Sequence, residues 1–202
     1  MKLDPFYLIV GHVSALELLV PHGVKLVQLR LKDLPETELR RQIARARDIC
    51  AVHGAELVVN DHWRLALDLR CRTVHLGQED MESADFPALR RAGVRVGLST
   101  HDEAELERAL ALDPAYVALG PVYPTLLKQM PWAPQGLARV RDWKRRVGDL
   151  PLVGIGGLTP ERLPGLFAAG ADSAAVVTDI QQAADPEARC REWIAATRRV
   201  PA

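Results

Sequence analysis

Cysteine is scarce in this sequence. The 202 residues include three cysteines (Cys50, Cys71 and Cys190), which lie far apart and show no Cys-x-x-Cys spacing. An odd number of distant cysteines argues against the disulfide framework of a small secreted protein and against a zinc site. We therefore expect a reducing, cytoplasmic environment in which the three thiols are buried as small apolar side chains.

An excess of charge and a long apolar run are also missing. Lys and Arg number 26 and Asp and Glu number 26, so no basic surplus is available for a general nucleic-acid binder. No stretch reaches the roughly 18 to 20 apolar residues of a membrane span, and Met1–Pro5 lacks the apolar core of a signal peptide. Hydrophobic residues make up 48% of the chain, which excludes intrinsic disorder. We expect no nucleic-acid partner and no membrane association.

The sequence does contain a repeated alternation of short apolar runs and longer segments of helical period. The runs are rich in Val, Leu and Ile, which is typical of strands buried on both faces of a parallel sheet. The predicted strands are Phe6–Val10, Lys25–Lys32, Ala55–Asp61, Thr73–Leu76, Arg95–Ser99, Tyr116–Gly120, Leu152–Ile155 and Ser173–Thr178.

Segments of helical period fill the intervals between these strands. Eight strands that alternate with eight helices predict an α/β fold, a closed (β/α)8 TIM barrel, and an open doubly wound sheet is the competing architecture. No linker or low-complexity stretch interrupts the series, so residues 1–202 are predicted to form a single domain. The predicted helices cover residues 14–22, 35–53, 62–70, 85–92, 102–112, 135–147, 160–169 and 186–198.

The second predicted strand departs from the apolar pattern. Within Lys25–Lys32, the polar residues Gln28, Arg30 and Lys32 share one face because side chains alternate along a strand. That face points into the barrel interior or toward its upper mouth. An unpaired buried charge is too costly, so an anion must meet the two cations. We favour a bound anionic ligand over a salt bridge to interior carboxylates.

Two aspartates follow neighbouring strands. Asp61 ends the third predicted strand and Asp80 lies just beyond the fourth, on the face where barrel enzymes place their chemistry. Carboxylate oxygens suit Mg2+ better than zinc. Each aspartate could instead cap the helix that follows it. The pair beside a cationic strand favours a magnesium site that grips a diphosphate.

The longest irregular stretch, Pro121–Pro134, is a candidate cover for the active site. Thr125 and Lys128 lie in it, and Lys128 could close over a phosphate or could be an exposed loop lysine. His101, after the fifth strand, could act as a general acid or as a helix cap, and the sequence does not decide between these roles.

Glycines and exposed amides follow the last two predicted strands. Gly156 and Gly157 come after the seventh strand, and Val177 and Thr178 end the eighth. Barrels frequently bind a phosphate at these loops through backbone N–H groups and a short helix. The sequence therefore predicts two anion sites at one mouth, one for a metal-bound diphosphate and one for a monophosphate.

Five motifs, in order along nearly the whole chain, resemble those of the thiamine phosphate synthase family. They are Gln28-Leu29-Arg30-Leu31-Lys32, Asn60-Asp61, His75-Leu76-Gly77-Gln78-Glu79-Asp80, Gly120-Pro121-Val122-Tyr123-Pro124-Thr125 with Lys128, and Val153-Gly154-Ile155-Gly156-Gly157. The resemblance implies a TIM barrel with two small-molecule substrates, a hydroxymethylpyrimidine pyrophosphate and a thiazole phosphate. It implies a dissociative reaction in which pyrophosphate leaves first and the thiazole nitrogen captures the pyrimidine methyl cation, giving thiamine phosphate.

The same resemblance implies roles for individual residues. Asp61 and Asp80 would bind Mg2+, while Arg30, Lys32 and Lys128 would act catalytically by stabilising charge on the leaving group. The implied substrate contacts are Gln28, Arg30, Lys32, Asn60, Ser99, Thr125, Lys128, Gly157, Val177 and Thr178.

One departure from the family pattern keeps other functions open. The family commonly carries Pro-Thr-x-Thr-Lys after the sixth strand, and Leu127 stands here in place of the second threonine. A related thiazole tautomerase, or a non-catalytic paralogue that binds thiazole or thiamine phosphate, is therefore an alternative. Only the synthase should require Mg2+. The sequence leaves both a monomer and a homo-oligomer open.

Overall fold

The computed structural model describes residues 2–125 and 133–198. Eight parallel strands close into a barrel in sequence order, with the first strand paired to the eighth. This confirms the predicted (β/α)8 barrel and excludes the open sheet. The strands are β1 (Phe6–Val10), β2 (Leu26–Leu29), β3 (Glu56–Asn60), β4 (Thr73–Leu76), β5 (Arg95–Thr100), β6 (Tyr116–Leu119), β7 (Leu152–Ile155) and β8 (Ser173–Val176).

The helices follow the strands, as predicted. Two short helices, at residues 78–83 and 178–181, lie outside the predicted helices, and the second begins at Thr178, which was predicted as the last residue of the eighth strand. The α-helices of the described residues are α1 (Val13–Leu19), α2 (Glu36–His53), α3 (Trp63–Asp68), α4 (Gln78–Ser83), α5 (Phe86–Arg91), α6 (Glu103–Ala111), α7 (Gly136–Val147), α8 (Leu163–Ala168), α9 (Thr178–Gln181) and α10 (Pro186–Arg198).

The second strand is shorter than predicted. It ends at Leu29, whereas the sequence pattern extended it to Lys32. The Arg30 N–H still donates to the Val10 carbonyl at 2.8 Å, but Arg30 and Lys32 are exposed. Of the two predicted positions, the barrel interior and the upper mouth, the structure therefore shows the mouth, because a charged side chain is best solvated there.

The core has two layers. One set of strand side chains packs outward against the helices, and the other fills the barrel. The interior layer includes Tyr7, Val58, Tyr116 and Val153, so two of its members carry hydroxyl groups. Outside the barrel, the three cysteines are buried and unpaired, as predicted. No helix within residues 2–125 and 133–198 is long and apolar enough to cross a membrane.

Candidate functional site

Asp61 lies at the carboxyl end of β3 in a left-handed backbone conformation, with φ of 61°. A non-glycine residue held there is uncommon and marks a constrained position. Its N–H donates to the His75 carbonyl at 2.9 Å, which ties β3 to β4. The Lys32 ammonium donates to the Asp61 carboxylate, whose side chain is 14% exposed. The structure thus brings together a predicted metal ligand and a predicted catalytic cation.

Asp80 lies beside Asp61, at the third position of α4. Burial raises the pKa of the Asp80 carboxyl, and the charge of Asp61 and a hydrogen bond with it raise this pKa further. A backbone hydrogen bond from Gly77 and the charge of Lys32 act in the opposite direction. Gly77 is the N-cap of α4, so Asp80 does partly cap its own helix. The N-cap of α3 is His62, whose side chain makes no capping hydrogen bond.

This pair of carboxylates fits a hard divalent cation. Two acidic side chains held in contact repel one another, and the repulsion is relieved by a proton or by a cation. No group of three or more His, Cys, Asp and Glu side chains able to hold a metal occurs in the described part of the chain. Mg2+ is usually held by one or two carboxylates together with water and substrate phosphates, so a two-carboxylate donor set suits it.

A line of hydrogen bonds crosses the barrel interior beneath these carboxylates. Gln28 Nε2 donates to the Tyr7 hydroxyl at 2.9 Å, and the Tyr7 and Tyr116 hydroxyls are 2.8 Å apart. Tyr116 lies 3.0 Å from His75 Nδ1, and His75 Nε2 lies 2.8 Å from the Ser99 hydroxyl. We name these five side chains the interior chain. Its two ends, Gln28 and Ser99, were predicted as substrate contacts.

The interior chain is almost completely removed from water. Gln28 is 3% exposed and His75 is 7% exposed, whereas Ser99 at the end of β5 is half-buried. Burial lowers the pKa of His75 to about 4 and outweighs the nearby charge of Asp61, which raises it. His75 is therefore a neutral imidazole at physiological pH. Nothing in the sequence pattern singles out Tyr7 and Tyr116, because a tyrosine in an apolar strand is typical of an ordinary core residue.

Asn60 and Arg30, two further predicted substrate contacts, lie near His75. Asn60 is buried at the last position of β3, opposite His75 in the strand register. Arg30 lies just past β2, and its charge contributes to lowering the pKa of His75. The structure thus brings both predicted contacts close to the interior chain.

The glycine turn after β7 forms a second region of the mouth. Gly157 has φ of 64°, and a Cβ there would lie 2.8 Å from the Tyr123 Cβ, so only glycine fits. The Tyr123 N–H donates to the Gly156 carbonyl at 3.0 Å. Arg162 donates to the Gly157 carbonyl and stacks 4.6 Å from the Tyr123 ring. The turn therefore packs against the segment that leads to Thr125, which is half-buried.

Val177 and Thr178 lie where α9 begins, with Val177 as its N-cap. The following residue, Asp179, anchors the short helix. Its carboxylate accepts hydrogen bonds from Arg189 at 2.8 and 3.1 Å and from the Trp193 indole at 2.6 Å. Sequence reasoning missed this anchor, because its members are ten and fourteen residues apart across a helix break.

Two other predicted residues have different outcomes. Lys128 lies outside the described residues, as does Leu127. The His101 ring and backbone N–H both bond the Glu105 carboxylate at 2.7 Å, while the N-cap of α6 is Asp102. Of the two roles left open for His101, the helix cap is taken by Asp102, and His101 is held by Glu105 of the same helix.

Comparison with known proteins identifies close relatives. The family model for thiamine monophosphate synthase matches residues 6–180. A thiamine-phosphate synthase from Rhizobium etli is 62% identical over 197 residues, covering 98% of this chain and 97% of that protein. Another from Cronobacter sakazakii is 46% identical over 194 residues, covering 96% of this chain and 89% of that protein.

Solved structures show the same barrel. A thiamine phosphate pyrophosphorylase from Pyrococcus furiosus superposes with a TM-score of 0.86 at 24% identity, covering 98% of both chains. A 3-hexulose-6-phosphate synthase superposes with a TM-score of 0.68 at 18% identity, covering 97% of this chain and 99% of that one. At these identities the likeness is evidence for the fold alone.

Proposed function

The chain belongs to the thiamine monophosphate synthase family and is a transferase of thiamine biosynthesis, and on that premise we propose how its barrel mouth carries out the reaction. The substrates would be a hydroxymethylpyrimidine diphosphate and a thiazole phosphate, and the products thiamine phosphate and free diphosphate. Relatives with 62% and 46% identity that are named thiamine-phosphate synthases favour this over the thiazole tautomerase and the binding paralogue.

The observation that carries the proposed mechanism is the contact of Asp61 with both Asp80 and Lys32. Two carboxylates and an ammonium, at the rim of a polar interior, form a site for a diphosphate that arrives with a divalent cation. Mg2+, when bound by Asp61 and Asp80, would neutralise charge that builds up on the diphosphate as it leaves. A lysine ammonium has three hydrogens, so Lys32 can bond the diphosphate while it still bonds Asp61.

The remaining polar groups would position the reactants. Gln28 and Asn60 lie deepest and would orient the pyrimidine, while Arg30 and Ser99 would meet the diphosphate. The bond between the pyrimidine methylene carbon and the diphosphate oxygen breaks, and its electron pair leaves with the diphosphate. The thiazole nitrogen then supplies the electron pair of the new carbon–nitrogen bond. No protein nucleophile is required.

The second substrate would be held at the other side of the mouth. Backbone N–H groups at Gly157, Val177 and Thr178 would bind the thiazole phosphate, because barrels commonly bind a phosphate after their last two strands. The packing of the Gly157 turn against Tyr123 and the anchoring of α9 by Arg189 would position these groups before substrate arrives.

A turnover assay tests this proposal. Protein treated with a chelator would receive both substrates with and without Mg2+, and thiamine phosphate would be measured as its fluorescent oxidation product. We expect product only with Mg2+ and with both substrates present. Each substrate supplied alone is the control, since diphosphate released from the pyrimidine alone would indicate hydrolysis. Folded protein that makes no product with Mg2+ would contradict the proposal.

A further inference from the structure

Three side chains of the interior chain have no part in the reaction as described above. Tyr7, His75 and Tyr116 lie between Gln28 and Ser99 and are buried. We propose that the hydrogen bonds of the interior chain all run in one direction, with each side chain donating to the next from Gln28 to Ser99. This polarity holds His75 in its Nε2–H form and leaves the Ser99 hydroxyl hydrogen free to donate to the departing diphosphate. The assignment of polarity depends only on the interior chain, whereas its use on a diphosphate rests on the proposed function.

The polarity follows from counting hydrogens. The Gln28 amide donates to the Tyr7 oxygen at 2.9 Å, and a phenol has one hydrogen. Tyr7 therefore gives its hydrogen to Tyr116, 2.8 Å away, and Tyr116 gives its own to His75 Nδ1 at 3.0 Å. With Nδ1 accepting, the single ring hydrogen of neutral His75 is on Nε2. It is donated to Ser99 Oγ at 2.8 Å.

Burial keeps each member in the required protonation state. Desolvation raises the pKa of both phenols, so Tyr7 and Tyr116 keep their hydrogens at neutral pH. The His75 ring stacks on the Tyr116 ring with centroids 5.6 Å apart and is buried, and burial favours the neutral imidazole over the charged form. A charged imidazolium would donate from both nitrogens and would break the sequence of bonds at Tyr116.

The consequence falls on Ser99, which is half-buried at the mouth end of the interior chain. A serine that accepts from His75 has its own hydrogen available, and a hydroxyl that donates to an anion makes a strong, charge-assisted bond. A serine that donated to His75 would instead present lone pairs to the diphosphate oxygens. Tyr7, Tyr116 and His75 are thus positioning residues that act through Ser99.

The opposite polarity keeps the same distances along the interior chain but exchanges the amide nitrogen and oxygen of Gln28. It requires the Gln28 amide oxygen to face Tyr7, every hydroxyl to donate toward Gln28, and His75 to carry its hydrogen on Nδ1. The tautomer of His75 therefore distinguishes the two arrangements, and it can be measured without substrate or metal.

The first experiment measures that tautomer. Protein labelled with 15N-histidine would be studied by NMR at neutral pH, and the His75 signals would be assigned by their loss in His75→Gln. We expect the Nε2–H form in the unsubstituted protein and in Ser99→Ala, and a mixture of tautomers in Tyr116→Phe. The control is Thr197→Val, which removes a buried hydroxyl from α10 and should leave the His75 signals unchanged. An Nδ1–H form in the unsubstituted protein would overturn the proposal.

The second experiment asks whether Tyr116 acts through Ser99. Tyr116→Phe should lower kcat about tenfold and leave the KM of both substrates within about twofold, because the lost stabilisation is of charge that develops in the transition state. In a Ser99→Ala background the same substitution should change kcat by less than about twofold. A tenfold loss in both backgrounds would mean that Tyr116 supports the barrel generally, and the proposal would be wrong.

The two experiments also separate this proposal from the proposed function. If the unsubstituted protein makes no thiamine phosphate with Mg2+, the proposed function fails, and the tautomer alone decides the polarity. If it makes product but carries the Nδ1–H tautomer, the function stands and the polarity is wrong.

Discussion

Gly97 and Tyr116 face each other across β5 and β6, and the absence of a side chain at Gly97 is what makes room for the Tyr116 phenol. The two residues are register partners, and a Cβ at Gly97 would overlap the phenol ring at Cζ. The interior chain thus depends on a glycine that contributes no polar group of its own.

Gly97→Ala should destabilise the protein by about 1–3 kcal/mol, because an overpacked core must move a ring or a strand. Turnover should also fall, since Tyr116 would no longer be in line with His75. Urea unfolding and the turnover assay measure the two effects. Gly11→Ala is the stability control, because a Cβ at Gly11 meets no atom within 4 Å. Equal stability for the two variants would contradict this account of Gly97.

Asp80→Asn should abolish Mg2+-dependent turnover and yet raise the stability of the metal-free protein. The raised pKa of Asp80 means that the folded state disfavours its charge, so removing that charge relieves repulsion with Asp61. Thermal unfolding with and without Mg2+ tests this, and the stabilisation by Mg2+ should vanish in the variant. Glu79→Gln removes an exposed charge from the same helix and should retain turnover and the response to Mg2+. Normal turnover in Asp80→Asn would rule out the metal assignment.

Because of His75, we expect the free energy of unfolding to fall in mild acid. Burial lowers its pKa from the ordinary value of 6.5 to about 4, so between these values the unfolded state binds more protons than the folded state. Neutral His75 contributes at most about 3 kcal/mol to the free energy of unfolding. This contribution is complete above pH 6.5 and is lost as the pH falls to 4. Urea unfolding at a series of pH values measures it. His75→Gln should flatten this part of the curve relative to His53→Gln, which alters an exposed histidine. Parallel curves for the two variants would show that His75 titrates normally.

Asp179→Asn should raise the KM for the thiazole phosphate several-fold and leave the KM for the pyrimidine diphosphate unchanged. The substitution keeps an acceptor for Trp193 but removes the charge that holds Arg189, so α9 loosens where the phosphate would bind. Steady-state kinetics with each substrate varied in turn gives the comparison. Glu192→Gln removes the other, exposed partner of Arg189 and is the matched control. An equal rise in both KM values would contradict a role of α9 in binding the thiazole phosphate alone.

Much of the architecture is readable from the sequence because it depends on local patterns. Buried parallel strands require continuous apolar runs, so all eight strands were predicted. The same patterns do not locate the strand ends. The alternation of Gln28, Arg30 and Lys32 continues past the last hydrogen bond between β2 and its neighbours, so only the tertiary structure shows that β2 ends at Leu29.

The site residues that escaped prediction share one property, which is that their partners are distant in sequence. Tyr7 and Tyr116 are 109 residues apart and meet only when the barrel closes. The short helix α9, with sequence Thr-Asp-Ile-Gln, is too brief to show a helical period, and it is anchored by α10. Such contacts depend on tertiary packing and leave no periodic signal.

The packing of Gly157 against Tyr123 and Pro124 joins the two halves of the mouth mechanically. A phosphate that shifts the glycine turn must also shift residues 123–125, which belong to the predicted cover loop. If the thiazole phosphate favours one arrangement of this segment, its binding changes the affinity for the pyrimidine diphosphate by some factor. The pyrimidine diphosphate then changes the affinity for the thiazole phosphate by the same factor, because a coupling free energy acts equally in both directions. The two ligands would therefore bind with linked affinities even though their anionic groups occupy separate sites.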